Sequence, residues 1–244
     1  MEIKKTKQLI AKIMFEALGK PVADYQKFHN SSMLKAKTNI SKTDKTILLK
    51  EYLRLEKLIL DKVKLSKIVN SNSKDQIVKD HKSIISVSTI SNVLSLSGGI
   101  QKNSREIVSN FYLYKGQYAV ETYLYSIDTD LPRGFYHYNP LSHTLDILPF
   151  KKNKFIKKIL KYKNQPKLII LISGVFERLT NLVQDRGYLL VLKEVGYFSQ
   201  NILINANSYG LETEIVEDFS SQEIDSDLDL DSMRESVLEV IILK

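Results

Sequence analysis

Apolar residues recur along this chain with two different periods, and the change of period divides it. Ile3, Leu9, Ile10, Ile13, Met14 and Leu18 precede Gly19-Lys20-Pro21, so the spacing predicts a helix over 3–19. After a polar link over 24–33, Asp44 stands as the cap of a longer helix expected over 45–69. Its stripe is Ile47, Leu48, Tyr52, Leu55, Leu58, Ile59, Val63 and Leu65. Residues 70–75 read as a loop. Ser86 or Ser88 opens a further helix through Ile90, Val93, Leu94 and Leu96, closed by Gly98-Gly99.

The period then drops to two. Tyr118 to Ile127 is rich in aromatic and β-branched residues, as strands are. Leu131 to Gly134 is a turn, Phe135 to Tyr138 a second strand, Asn139-Pro140 another turn, and Leu145 to Leu148 a third strand. This is an antiparallel meander. Lys151 to Lys161 is a basic helical stretch, and Lys167 to Ser173 is an unbroken apolar run suited to a sheet centre.

The longest helix is expected from Tyr188 to Tyr209, stopped by Gly210, a residue type that readily adopts positive φ. Leu189, Leu192, Val195, Phe198 (or Ser199), Ile202, Leu203 and Ala206 form its stripe. Leu190, Val191, Tyr197 and Ile204 make the other side apolar too. The helix is therefore predicted to be covered nearly all round, against a sheet or inside a subunit interface. An acidic segment, 220–231, holds a short helix, and Ser236 to Leu243 is a last strand. Helices come first, then β-β-β-α-β-α-α-β. The class is α+β, a sheet with packed helices. Residues 1–80 read as a helical N-terminal extension and 81–244 as the α+β domain.

Composition narrows the chemistry. The chain has no cysteine, which excludes disulfides, thiolate zinc and a cysteine nucleophile and agrees with a cytoplasmic location. His29, His81, His137 and His143 are scattered without i, i+4 spacing, so no histidine-built metal site is expected. No apolar run reaches membrane-spanning length and the N-terminus lacks a signal-peptide core, so no membrane association is expected.

Charge is uneven. Residues 1–80 hold 18 Lys/Arg against 9 Asp/Glu, whereas 211–231 hold 9 acidic residues and no basic one. The lysines of 35–67 alternate with aliphatics at helical spacing and no recognition motif accompanies them, so no nucleic-acid partner is expected. Asp225, Asp227, Asp229 and Asp231 lack the glycine and terminal glutamate of a calcium loop and read as solvated acidic surface.

Short motifs then carry a resemblance over about residues 83–244. They are Glu121-Thr-Tyr-Leu-Tyr125, Leu131-Pro-Arg-Gly-Phe-Tyr-His-Tyr-Asn-Pro140 with His143-Thr-Leu145, and Phe176-Glu-Arg178. Further on come Asp185-Arg-Gly-Tyr188, Glu194-x-Gly196 with Gln200-Asn201, and Tyr209-Gly-Leu211. In order and spacing these resemble the nitroreductase-like superfamily. The branch most similar is the SagB-type dehydrogenases, which oxidise azolines to azoles in ribosomally made, modified peptides of the bacteriocin kind.

The resemblance implies an FMN-binding dimer, with a second copy or a related subunit, whose flavin sits at the subunit interface. It implies a peptide substrate and other peptide-modifying enzymes as partners. Arg105 and Ser109 look like the remnant of a family segment beside the flavin ring, and Thr213 to Phe219 would run close to it. Gln200 and Asn201 would serve the flavin edge or the partner's backbone. Where the family carries an arginine-rich phosphate stretch this chain has Lys79, His81, Lys82 and Ser83, so the resemblance implies Lys82 and Ser83 as cofactor contacts, with a solvated surface lysine as the other reading of Lys82. The family's glycine-rich turn reads Glu212-Thr-Glu-Ile-Val-Glu-Asp218, with four carboxylates and no glycine. Its lysine-tyrosine pair is Leu182-Val183 here, so Tyr188 and Arg186 are the nearby candidates for proton abstraction. Two functions follow from different classes. One is an FMN-dependent dehydrogenase of a modified peptide. The other is a flavin-less nitroreductase-like subunit that scaffolds a peptide-modifying complex.

Overall fold

The computed structural model describes residues 49–61, 84–102, 107–149, 153–162 and 165–244. Its strands are β1 (Lys57–Ile59), β2 (Ile100–Lys102), β3 (Ile107–Ser109), β4 (Val120–Ser126), β5 (Gly134–Asn139), β6 (Thr144–Leu148), β7 (Leu168–Val175), β8 (Thr213–Ile215) and β9 (Glu235–Leu243). Its helices are α1 (Val87–Gly98), α2 (Lys154–Tyr162), α3 (Glu177–Val183), α4 (Asp185–Ser208) and α5 (Ser221–Asp227). One seven-stranded sheet runs β1-β6-β5-β4-β7-β9-β8, and β2 and β3 form a separate hairpin. Every neighbouring pair in the large sheet is antiparallel.

Two-residue periodicity assigns each sheet residue to a face. Val120 and Leu124 of β4 join Leu168, Ile170 and Ile172 of β7 under α1 and α4. Tyr123 and Tyr125, with Ile169 and Leu171, face the other way, under α2 and α5. Both faces of β7 are thus covered, which is why its sequence is apolar without alternation. The predicted meander is present as β4, β5 and β6, and the α+β class holds.

The helix expected over 45–69 is not what residues 49–61 form. Lys50 to Glu56 runs extended through a turn, and β1 adds to the β6 edge with Lys57 opposite Asp146 and Ile59 opposite Thr144. The apolar residues explain the difference. Leu49 and Leu58 pack against one core cluster and Tyr52 and Leu55 against the other, a division made by a sheet edge and not by a helix stripe. Ile147 N–H donates to Glu56 O at 2.9 Å and Leu60 N–H to His143 O at 3.1 Å, which satisfies main-chain groups β6 would otherwise leave open. The helix expected over 3–19 and the loop over 70–75 lie outside the described residues.

Two further expectations change. The long helix starts at Asp185, and it is not covered all round: Tyr197 is 47% and Ile204 56% exposed. Asp225 and Asp227 are buried. Asp225 accepts from Ser236 Oγ at 2.7 Å and Val237 N at 2.8 Å, and Asp227 from Phe155 N at 2.9 Å. These carboxylates staple α5 to β9 and to the start of α2, where main-chain N–H groups need acceptors. Among the described residues no helix is long and apolar enough to cross a membrane.

Candidate functional site

The segment that carried the resemblance, α3 and the first turn of α4, is built around a close approach. A Cβ on Gly187 would collide with the backbone of Leu179 and Thr180, so the glycine between Arg186 and Tyr188 lets the two helices touch. Tyr188 lies half-buried with its ring 5.1 Å from that of Phe176, and Arg186 is half-buried beside it. Leu182 is half-buried and Val183 buried.

Further along α4, Glu194 and Asn201 stand two turns apart on one face and hold one segment between them. Glu194 is 1% exposed and accepts from Tyr114 N at 3.1 Å and Ala119 N at 3.0 Å. Asn201 Nδ2 donates to Ser97 O at 3.2 Å and Asn110 O at 3.3 Å. Residues 110–119, including a turn in which Lys115 takes φ 53°, are therefore clasped at both ends by one helix. Burial pushes Glu194 up to about 7 against the opposing pull of those two backbone donors. Gln200, next to Asn201, is exposed. Ser109 Oγ accepts from Phe111 N at 3.3 Å, and Thr213 Oγ1 donates to Asn207 Oδ1 at 3.3 Å. Lys82, Ser83 and Arg105 lie outside the described residues.

A second polar centre lies on the opposite face of the sheet. Arg178 donates to Glu121 and to Tyr118 O, the latter at 2.9 Å. Glu121 Oε2 meets His137 Nε2 at 2.8 Å, His137 Nδ1 meets Asp146 Oδ2 at 3.3 Å, and Lys57 Nζ lies 3.3 Å from Asp146 Oδ1. Beside it, Lys50 Nζ donates to Tyr123 Oη at 2.7 Å and Glu235 Oε2 at 2.8 Å, while Tyr123 Oη and Ser173 Oγ each donate to Glu235 Oε1 at 2.8 Å. Burial alone would lower His137, but its bonds to Asp146 and Glu121 outweigh this and hold it above the usual range. The opposite balance holds Glu121 below it: burial raises it, and His137 and Arg178 more than offset that.

Glu121, Arg178 and His137 stand in the motifs that carry the resemblance, but nothing local in the sequence pairs them, and Lys50, Asp146 and Glu235 belong to no motif. The available signal was a single buried ionisable residue in a largely apolar strand: Glu121 in β4, His137 in β5, Asp146 in β6 and Glu235 at the start of β9.

An FMN cradle needs donors along the ring edge and cations or free amides for the phosphate. Of the described residues assigned to it, Asn201 spends its amide group on two carbonyls and Thr213 its hydroxyl on Asn207. Ser109 Oγ only accepts in its bond with Phe111 N–H, and the Gln200 side chain is exposed.

The sheet order and the long α4 define a nitroreductase-like α+β fold, and solved structures agree. A candidate nitroreductase from Anabaena variabilis superposes with TM-score 0.68 at 18% identity, over 89% of this chain and 45% of that one. A chain of the E. coli microcin synthetase McbBCD complex with truncated pro-MccB17 bound superposes with TM-score 0.60 at 17% identity, over 95% of this chain and 96% of that one. In sequence, a candidate nitroreductase of Methanocaldococcus jannaschii (MJ1384) is 39% identical over 57 residues, 23% of this chain and 29% of that protein. This chain thus spans under half of the Anabaena structure, and the sequence match under a third of the archaeal protein. No family profile matches the chain.

Proposed function

We propose that this chain is a nitroreductase-fold subunit of a peptide-modifying synthetase, acting as an FMN-dependent dehydrogenase on a ribosomally made peptide, of the azoline-to-azole type or related to it. The supporting observation is correspondence over the full length. The microcin synthetase chain matches this one end to end, 95% against 96%, where the Anabaena chain is about twice as long. FMN would supply the hydride chemistry. Lys82 and Ser83 are the residues proposed for its phosphate side, with Arg105, Ser109, Gln200, Asn201 and Thr213 toward the ring and Arg186 and Tyr188 nearest the substrate.

The partner is a second copy or a related subunit. Tyr112, Tyr197 and Ile204 support that, because Tyr197 and Ile204 are exposed two turns apart on one side of α4 and Tyr112 stacks on Tyr197.

A second reading is favoured by a specific observation. The donor groups of Asn201 and Thr213 are spent within the fold, and although Lys244 pairs with Glu212 and Glu214, Glu217 and Asp218 beside them would repel a phosphate brought near. On that reading the chain is a flavin-less subunit of the same kind of complex. An absorbance spectrum of the purified protein, before and after FMN and gel filtration, separates the two. Bands near about 370 and 450 nm that stay with the protein carry the dehydrogenase. A colourless protein overturns it and leaves the scaffold.

A further inference from the structure

The segment Leu49–Asp61 lies on the sheet as a bound peptide does. Its main chain adds antiparallel to the β6 edge, with Leu60 N–H on His143 O and Ile147 N–H on Glu56 O. One of its residues is read at both ends. Lys50 N–H donates to Glu121 Oε1 at 3.0 Å, and its ammonium meets Glu235 at 2.8 Å and Tyr123 Oη at 2.7 Å. The ammonium also lies 5.7 and 5.4 Å from the rings of Tyr52 and Tyr123. Residues of β4, β7 and β9 shape this slot, because Ser173 and Tyr123 both fix the Glu235 carboxylate that receives the ammonium. Between the anchor and the strand the contacts relax: Glu51 and Arg54 are exposed, and Leu53 is 82% exposed. Main-chain pairing for affinity with one pocketed side chain for choice is how sheet edges take extended peptides.

We infer that the slot formed by Glu121, Tyr123, Ser173 and Glu235 is a recognition site for a lysine in an extended polypeptide segment, held in cis by Lys50. The occupant in trans is a lysine-bearing stretch of the peptide substrate, a clause that rests on the proposed function. The site itself rests on the contacts above.

The test uses the full chain carrying Lys50→Ala and a fluorescent peptide with the sequence of residues 49–61. A control peptide has alanine at its lysine corresponding to Lys50. Far-UV circular dichroism first establishes that the variant is folded. The proposal expects the lysine peptide to bind the variant at least about tenfold more tightly than the control peptide does, the scale of one charge-assisted hydrogen bond. It also expects Glu235→Gln in the same background to abolish the difference. Equal binding of the two peptides, or none, overturns it. Should Lys50→Ala not fold, hydrogen exchange on the wild type decides. The lysine peptide in excess should speed exchange of the 49–61 amides and the control should not; no such difference again overturns the proposal. Neither readout involves flavin or turnover. A failed slot therefore leaves the dehydrogenase reading standing, and a colourless protein leaves the slot standing.

Discussion

Glu121 Oε2 lies 2.8 Å from His137 Nε2 with both side chains buried. The β4–β5 register sets Tyr123 opposite His137, so Glu121 reaches it as a diagonal neighbour on the same face. Because the other ring nitrogen faces Asp146, the ring satisfies both carboxylates only as an imidazolium. His137→Ala should leave two carboxylates near each other without their shared cation. The expected loss in urea-unfolding free energy is about 3 kcal/mol or more. A loss under about 1 kcal/mol, typical of exposed pairs, would show that the pair is solvated in the folded protein.

Glu121, His137 and Glu194 each bend the pH dependence of stability. Glu121 is lowered from 4.5, so its contribution is present above that value and is lost as pH falls through the folded pKa. His137 is raised from 6.5, so its contribution is full below 6.5 and is lost as pH rises through the folded pKa. Glu194 is raised from 4.5 to about 7, so folding favours its neutral form and stability drops as pH climbs across that interval. Its share is about 3 kcal/mol by linkage. Stability should therefore peak on the acid side of neutrality. Thermal melts across pH 4 to 9, run on the wild type and Glu194→Gln, check this: the variant should lose most of the decline between about pH 5 and 7. A wild-type curve flat over that range would contradict the assignment to Glu194.

How much of this was legible beforehand depended on what each residue's neighbours in sequence could say. The meander β4–β6, the buried run of β7 and the length of α4 follow from local period, and they formed as expected. The segment at 49–61 did not, because Leu49, Tyr52, Leu55 and Leu58 satisfy a helical spacing equally well. The open edge of β6 decides between the two, and no local pattern records that edge. The polar centre was hidden for a related reason. Lys50 and Glu235 are 185 residues apart and meet only once β4, β7 and β9 are in register. The Glu194-x-Gly196…Asn201 motif was visible, but not that its carboxylate and amide clasp residues 110–119.

Gly187 offers a sharp test of the α3–α4 contact. The atoms a methyl group would meet are backbone atoms of Leu179 and Thr180, which cannot move aside as a side-chain tip can. Gly187→Ala should therefore destabilise by about 2 kcal/mol or more, although alanine is the better helix former by about 1 kcal/mol. Gly196→Ala is the matched control, since nothing lies within 4 Å of a Cβ placed there. It should be neutral or stabilising. Equal effects at the two glycines, read as shifts in melting temperature, would mean that the helices do not touch at Gly187.

The exposed ridge of α4 bears on the partner. Tyr112 and Tyr197 stack edge to face, 6.4 Å between centroids at 81°, and both remain solvent-accessible, at 63% and 47%. A monomer gains little from holding two tyrosines and Ile204 in water, whereas a second copy would bury them around a shared axis. Light scattering on the full chain should therefore give a dimer, and Tyr197→Asp should give a monomer. The same variant should keep its unfolding free energy within about 0.5 kcal/mol at a concentration where both proteins are monomeric, because Tyr197 and its stacking partner Tyr112 both lie at the surface. A wild type that is monomeric at every concentration would reject the second copy. The ridge would then be covered by a related subunit, and mixing with that subunit should shift the mass of the wild type but not of Tyr197→Asp.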